Sequence, residues 1–401
     1  MPELEVCPEE LPALVALFDP GRVADPYPAY EQWRARSPVV RPQEKFFVLS
    51  RFDDCEAVLA DPSFGHFEPD ANGPGAVAGQ AEARSMLRLN PPDHTRLRRL
   101  VARAFTARTV MALAPRIEAI TSDLLADAGP CFDLIDALAL PLPVRVISEL
   151  FGIPATDQPL LVRWSAVLSR TLDPGFLIPD DARAEMRQAG GEFREYLGAL
   201  IPRRRERPGD DLISALVHVH DEDGTLTEDE IITTSRLLLI AGHETTRSLI
   251  GAGVLALLAH PQQLKILRDD PRLLDQAVEE VLRYDPPVQL LARTALKDTA
   301  LGSITIPSNS ITLMLLGAAN RDPALCDSPG TFDIRHGARR HLAFGHGIHF
   351  CLGAPLARLE AVIALRHLLP ALPGLRVSGA PEWKPHTVLR GLEHLWLAPA
   401  G

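Results

Sequence analysis

Paired cysteines are missing from this chain. Its five cysteines, Cys7, Cys55, Cys131, Cys326 and Cys351, are spread over 401 residues, and none belongs to a C-x-x-C pair. An odd number at wide spacing excludes a disulfide framework, a zinc site of paired cysteines and an iron–sulfur cluster. Long apolar runs are missing too. The most apolar interior stretch, 237–242, is followed at once by His243, Glu244 and Arg247, so nothing reaches the ~20 apolar residues of a membrane helix. The first residues, MPELEVCPEE, place acids and prolines where a secretory signal needs a basic and then an apolar segment. Excess positive charge is absent as well: 41 Lys and Arg stand against 52 Asp and Glu, a net charge of −11. Bulk charge of that sign does not draw in nucleic acid. There is no glycine fingerprint for a flavin or nicotinamide, no internal repeat and no Ser- or Gly-rich spacer. These absences predict one cytoplasmic unit spanning 1–401, working as a monomer with no membrane or nucleic-acid partner.

What is present is a large apolar fraction, 46%, enough for a sizeable core, and helix signals in most segments. Helices are expected over 25–36, from Pro92-Asp93 onward, and over 110–128, 142–151, 158–170 and 180–206. A long one runs from Thr227 to His260, and others from Asp270-Pro271 to Asp285 and from Ala354 to Leu369. Thr227-x-x-Glu230 has the form of a capping box, in which the threonine oxygen and the glutamate satisfy free N–H groups at a helix start. Strands are expected in 39–49 and 289–315. Residues 61–89, rich in Gly, Ala and Pro, read as a loop. The class is mainly α with a minor β part.

The strongest chemical signal is the string from Phe344 to Gly353, FGHGIHFCLG. Glycines at 345, 347 and 353 permit unusual backbone angles. Cys351 stands immediately before a helix start, where free N–H groups and the helix dipole favour a thiolate. A thiolate is what a haem iron takes from cysteine. Every fixed position of F-G-x-G-x-[H/R]-x-C-x-G is met, and here the chain resembles the cytochrome P450 superfamily, the haem-thiolate monooxygenases. The resemblance runs from Asp25-Pro26-Tyr27 through Asn320-Arg321-Asp322-Pro323 to the C-terminus. It implies the P450 fold, triangular and mainly helical, with a long helix over one haem face and the cysteine loop beneath the other.

Several further residues acquire roles from that resemblance. The cofactor is haem b, with Cys351 as its metal ligand and Phe344, Gly353 and Ala241 beside it. Within Ala241-Gly242-His243-Glu244-Thr245-Thr246, Glu244 and Thr245 are the acid–alcohol pair that steers protons to bound oxygen, and His243 has no assigned role. His94, Arg98, Arg293 and His349 are the basic partners of the two propionates. Glu280 and Arg283, at i,i+3, brace the cysteine loop. The third partner of that brace, an arginine in a P-x-R-F segment, is replaced by threonine in Pro329-Gly330-Thr331-Phe332. Arg335, His336 or a backbone carbonyl is then left to complete it. The pocket is drawn from the 61–89 loop and from Leu238, Val288, Gln289, Leu290, Val388 and Leu389. That mostly aliphatic set suits a hydrophobic natural product of polyketide or macrolide, terpenoid or steroid-like type.

The implied activity is hydroxylation or epoxidation of such a molecule with O₂ and two electrons. The electrons come from a separate ferredoxin or flavodoxin and its reductase, and a basic patch of Arg96, Arg99, Arg103 and Arg358 is a docking candidate. Other activities open to the same fold are oxidative coupling and peroxide-driven oxidation. A haem-thiolate sensor without turnover is the alternative from another class; it needs the cysteine loop but not Glu244 and Thr245.

Overall fold

Thr227 and Glu230 start the longest helix by exchanging hydrogen bonds. Glu230 N–H donates to the threonine hydroxyl at 3.2 Å, and Thr227 N–H donates to the glutamate carboxylate at 2.8 Å. Two of the N–H groups that a helix start leaves without partners are thereby satisfied. The helix then runs over Glu228–Ala259, 32 residues, about 50 Å at the α-helical rise. His260-Pro261 ends it as expected. The same proline also opens a helix that the sequence did not announce, Pro261–Asp269, because proline suits a first helical turn whose N–H would lack a partner anyway.

This computed structural model describes residues 4–400 except 18, 67–84, 174–177, 222–223, 337–339 and 387. Its secondary structure follows the expected class, with helices Tyr27–Arg36, Asp93–Ala104, Gln158–Leu168, Asp180–Glu206 and Ala354–Leu368 among many. The helix predicted over 110–128 is two, Ala107–Ala112 and Ala114–Ala126, and Pro271 opens a short 3₁₀ turn before Leu274–Tyr284. Of the loop expected at 61–89, residues 67–84 lie outside the described residues. Among the described residues no helix is long and apolar enough to cross a membrane.

The chain forms two compact units. The first comprises Met1–Gly65, Glu118–Pro141 and Thr245–Gly401. It holds a sheet ordered Val39–Gln43, Phe46–Leu49, Ile311–Leu315, Leu290–Ala295 and Phe64–Gly65. Neighbours are antiparallel except Phe46–Leu49 with Ile311–Leu315. Phe47, Leu49, Phe52, Cys55, Met314 and Leu342 form the core against it. Each such side chain contributes about 1.5–3 kcal/mol by leaving water. Strands near the C-terminus, Leu375–Val377 and Trp396–Pro399, pair with each other, and Phe132–Asp133 joins them.

The second unit comprises His66–Ile117 and Leu142–Glu244. In it Gln158–Leu168 packs on Asp180–Glu206. The Trp164 ring meets Phe193 edge-on at 5.6 Å, and its indole N–H donates to Glu192 at 2.9 Å.

Replacing Thr227 with alanine removes one half of the cap and should cost about 1 kcal/mol of stability. Urea unfolding measures it; an unchanged midpoint would mean that the cap contributes nothing.

Candidate active site

The turn before Cys351 depends on its glycines. Gly345 and Gly347 both have φ of +69°, the left-handed region that side chains avoid. At Gly347 a Cβ would also stand 2.3 Å from the Leu59 carbonyl oxygen at the end of helix Phe52–Ala60. Gly345 N–H donates to the Leu342 carbonyl at 2.8 Å, and Cys351 N–H donates to the Phe344 carbonyl at 2.9 Å. Gly353 is the N-cap of Ala354–Leu368, and its hypothetical Cβ lies 3.9 Å from Cys351 Sγ. The thiol is half-buried at this helix start, the setting that stabilises a thiolate. Ile348 and Phe350 of the same loop are exposed, at 47% and 40%.

Behind the loop lies the buried pair Glu280–Arg283, both side chains 1% exposed. Arg283 Nε and Nη2 donate to the two carboxylate oxygens, each at 2.7 Å. The other guanidinium N–H groups donate to the carbonyls of Asn320 at 3.2 Å, Pro329 at 2.7 Å and Thr331 at 2.9 Å. Every donor of the guanidinium is used. Glu280 in turn accepts from Asp333 N–H at 2.9 Å. Of the completions open at Thr331, the backbone carbonyl is the one present. The threonine's main chain takes the contact while the residue itself is exposed, Arg335 points outward, and the His336 side chain lies outside the described residues.

A second brace went unread in the sequence. Glu279 accepts two hydrogen bonds from Arg358, at 2.6 and 2.9 Å, and one from His341 at 3.1 Å. Burial acts to raise its pKa, but these hydrogen bonds and charges hold it at about 2. Arg358 also lies over the Phe344 ring, 4.4 Å from its centre. The only sequence signal was the doubled acid Glu279-Glu280.

Along the long helix, residues on both sides of its middle are buried, yet Ala241 is exposed, and Leu238 and Thr245 are half-buried. Their spacing of three and four residues puts them on one face, so a mostly buried helix keeps an open stripe there. Glu244 is 3% exposed and turns toward His243, whose Nε2 lies 3.4 Å from its carboxylate.

Residues 165–372 match the family described as Cytochrome P450. The P450 monooxygenase PikC of Streptomyces venezuelae is 44% identical, over 93% of this chain and 90% of that protein. The 6-deoxyerythronolide B hydroxylase of Saccharopolyspora erythraea is 39% identical, over 92% and 95%. The ligand-free crystal structure of CYP164A2 from Mycobacterium smegmatis is 45% identical, covers 96% of this chain and 99% of its own, and superimposes with a TM-score of 0.88. The chain belongs to the cytochrome P450 family. It is a P450 monooxygenase with the P450 fold, and its family carries a haem bound through a cysteine thiolate.

Whether this P450 has a place for the anionic edge of such a cofactor can be tested on Arg293. The residue is 6% exposed, and burial lowers its pKa to about 10. Its one hydrogen bond goes to the Ala292 carbonyl at 3.0 Å, and no carboxylate among the described residues pairs with it. A buried guanidinium without an anion is costly, and a propionate is the kind of group that would relieve it. Leu291 on the same strand is 3.9 Å from the position of a Gly345 Cβ, so the strand that carries Arg293 adjoins the cysteine loop. His349 is half-buried within that loop. In the second unit, His94 is 2% exposed and Arg98 half-buried on helix Asp93–Ala104.

Other expected residues fall less simply. Val288 bridges to Leu389, and Gln289 N–H donates to the Val388 carbonyl at 2.9 Å, which joins two of the expected pocket segments. Leu290, Val388 and Leu389 are buried. The Gln289 side-chain amide donates to the Pro286 carbonyl at 2.7 Å, and the residue is 3% exposed. The four-arginine docking patch needs correcting. Arg358 is taken by Glu279, and Arg96 forms an ion pair with Glu230. Both Arg96 and Arg358 lie within reach of a carboxylate that the sequence pattern did not link to them.

Replacing Arg293 with leucine should act in opposite directions on the two forms of this P450. Without haem, removal of an unpaired buried cation should raise stability by about 1 kcal/mol. With haem, retention should weaken. Melting curves of both forms, with haem transfer to apomyoglobin, measure this; equal destabilisation of both would exclude an anionic partner.

Proposed function

We propose that this P450 hydroxylates or epoxidises a hydrophobic natural product of the polyketide or macrolide class, with terpenoids and steroid-like molecules as further candidates. The observation that carries the chemistry is the half-buried Cys351 at a helix start, after a turn with two glycines at positive φ. The aliphatic candidates Leu238, Val288, Leu290, Val388 and Leu389 suit an apolar ligand, and the likeness to 6-deoxyerythronolide B hydroxylase favours a macrolactone.

In this reading the cofactor is haem b. Cys351 would ligate its iron, Phe344 and Gly353 shape the loop around the sulfur, and Ala241 offers a small side chain on the open face of the long helix. Arg293, His349, His94 and Arg98 hold the propionates. When bound, the haem supplies the activation of O₂, using two electrons from a ferredoxin or flavodoxin and its reductase. Thr245, on the open stripe, presents its hydroxyl to solvent-derived protons. Glu244, buried beside it, holds a carboxyl that can take up and release one. Such a pair is worth building into a helix because a proton must reach a site that is otherwise kept dry. Glu280 and Arg283 keep the cysteine loop in place. We read the whole chain as one catalytic unit, since its relatives match it over nearly its full length.

Thr245→Ala should keep the reduced carbon-monoxide band near 450 nm that marks the family, while product per electron falls and peroxide rises. Unchanged product per electron would remove Thr245 from the relay. For the substrate class, titration of the ferric protein with 6-deoxyerythronolide B and with steroids should give a low-to-high spin shift for the macrolactone at lower concentration. A shift with steroids alone would overturn the macrolide assignment.

A further inference from the structure

The imidazole of His243 is wholly buried in the middle of the long helix, 0% exposed, and its two nitrogens have very different surroundings. Nδ1 is 2.7 Å from the hydroxyl of Ser165, on helix Gln158–Leu168, and 3.3 Å from the carbonyl of Leu239 one turn back. Nε2 has no hydrogen-bond partner. Glu244 Oε1 lies 3.4 Å from it without a hydrogen bond. Ser165 is itself 0% exposed and Glu244 3%. A buried ring nitrogen without a hydrogen bond requires an explanation, since nearly all such groups are paired.

We infer that Ser165 and His243 form a buried positioning chain that holds the Glu244 carboxylate in its working orientation. The inference rests on the reading of Glu244 as the acid that delivers protons. The logic is one of donors and acceptors. An ionised carboxylate only accepts, so the nitrogen facing it must carry the hydrogen. That places the proton on Nε2 and leaves a lone pair on Nδ1. The Ser165 hydroxyl can donate into that lone pair; the Leu239 carbonyl cannot. Serine thus selects the tautomer that points an N–H at Glu244, as a second partner fixes the ring of a catalytic or metal-bound histidine. At 3.4 Å the two groups are close but the N–H is not aimed at the oxygen, so the carboxylate or the ring must reorient in the working protein. The role assigned is positional: His243 acts through Glu244.

The chain makes two separable statements, and both can be tested in the haem-loaded protein. The first concerns the tautomer. In the reduced, carbon-monoxide-bound form, which is diamagnetic, ring ¹⁵N shifts of His243 can be assigned by their loss in His243→Gln. Wild type should show the proton on Nε2. Ser165→Ala should move the population toward Nδ1–H, because the Leu239 carbonyl is then the partner left. A wild-type ring protonated on Nδ1, or one indifferent to Ser165→Ala, overturns the chain.

The second statement concerns function. With 6-deoxyerythronolide B as the probe and a ferredoxin and its reductase as donor, the rate of reduced-nicotinamide consumption is compared across variants. His243→Phe should lower it by about tenfold, the scale of losing a partner that orients a working group. His243→Gln, whose amide N–H can reach the carboxylate, should recover most of the loss. In a Glu244→Gln background, His243→Phe should have little further effect. Full multiplication of the two losses, or equal loss in His243→Gln and His243→Phe, overturns the positioning role. An unchanged rate in Glu244→Gln alone overturns the proton-delivery reading instead, and the tautomer measurement still decides the chain.

Discussion

Arg283 is the residue on which the cysteine side of this P450 depends. It is 0% exposed, and all its donors are committed, to both oxygens of Glu280 and to three main-chain carbonyls between Asn320 and Thr331. The contact passes on through Asn320. That side-chain oxygen accepts from Leu342 N–H at 2.8 Å, and the Leu342 carbonyl accepts from Gly345 N–H. A few hydrogen bonds therefore connect a buried ion pair to the turn that presents Cys351. A buried pair is stable only when its remaining lone pairs and protons are satisfied, and removing one member costs about 3–5 kcal/mol. The carbonyls around Arg283 meet that condition without a third charged side chain. Thr331 is accordingly no defect in the brace: what the brace takes from that position is a main-chain oxygen.

Two buried charges, Glu279 and Arg293, have opposite surroundings, and the difference is informative. Glu279 is surrounded by Arg358 and His341, and its carboxyl is held at about 2 in spite of burial. Such a charge is complete within the protein. Arg293 is complete only in its packing. It has one carbonyl for company, and burial lowers its pKa. Compensated charges hold the loop, and the lack, among the described residues, of a carboxylate beside Arg293 is what supports the proposal of a cofactor carboxylate there.

The same distinction governs the outer charges. A chain of net charge −11 could attract an acidic electron carrier only through a local basic surface. Arg96 and Arg358 do not provide one, because Glu230 and Glu279 neutralise them. Glu230 also caps the long helix, so one carboxylate serves both the helix start and the pairing of Arg96.

Much of the site could be read from short sequence patterns, since local geometry is encoded locally. Glycines at 345 and 347 specify left-handed turns, a helix start after Cys351 follows from the chain direction, and the i,i+3 spacing of Glu280 and Arg283 puts them on one face. The capping box and most helices were legible for the same reason. Contacts between distant segments were not. Carbonyls of Pro329 and Thr331 have no side-chain signature, so the completion of the brace could not be chosen. Arg358 finds Glu279 across 79 positions, and Ser165 finds His243 across 78. Gln289 donates its side-chain amide to the Pro286 carbonyl, a main-chain partner with no side-chain signature. Residue chemistry, and the way each turn and helix presents it, is written in local patterns of the chain. Which charges are satisfied came from the folded molecule, since satisfaction depends on backbone oxygens and side chains brought together by packing rather than by spacing.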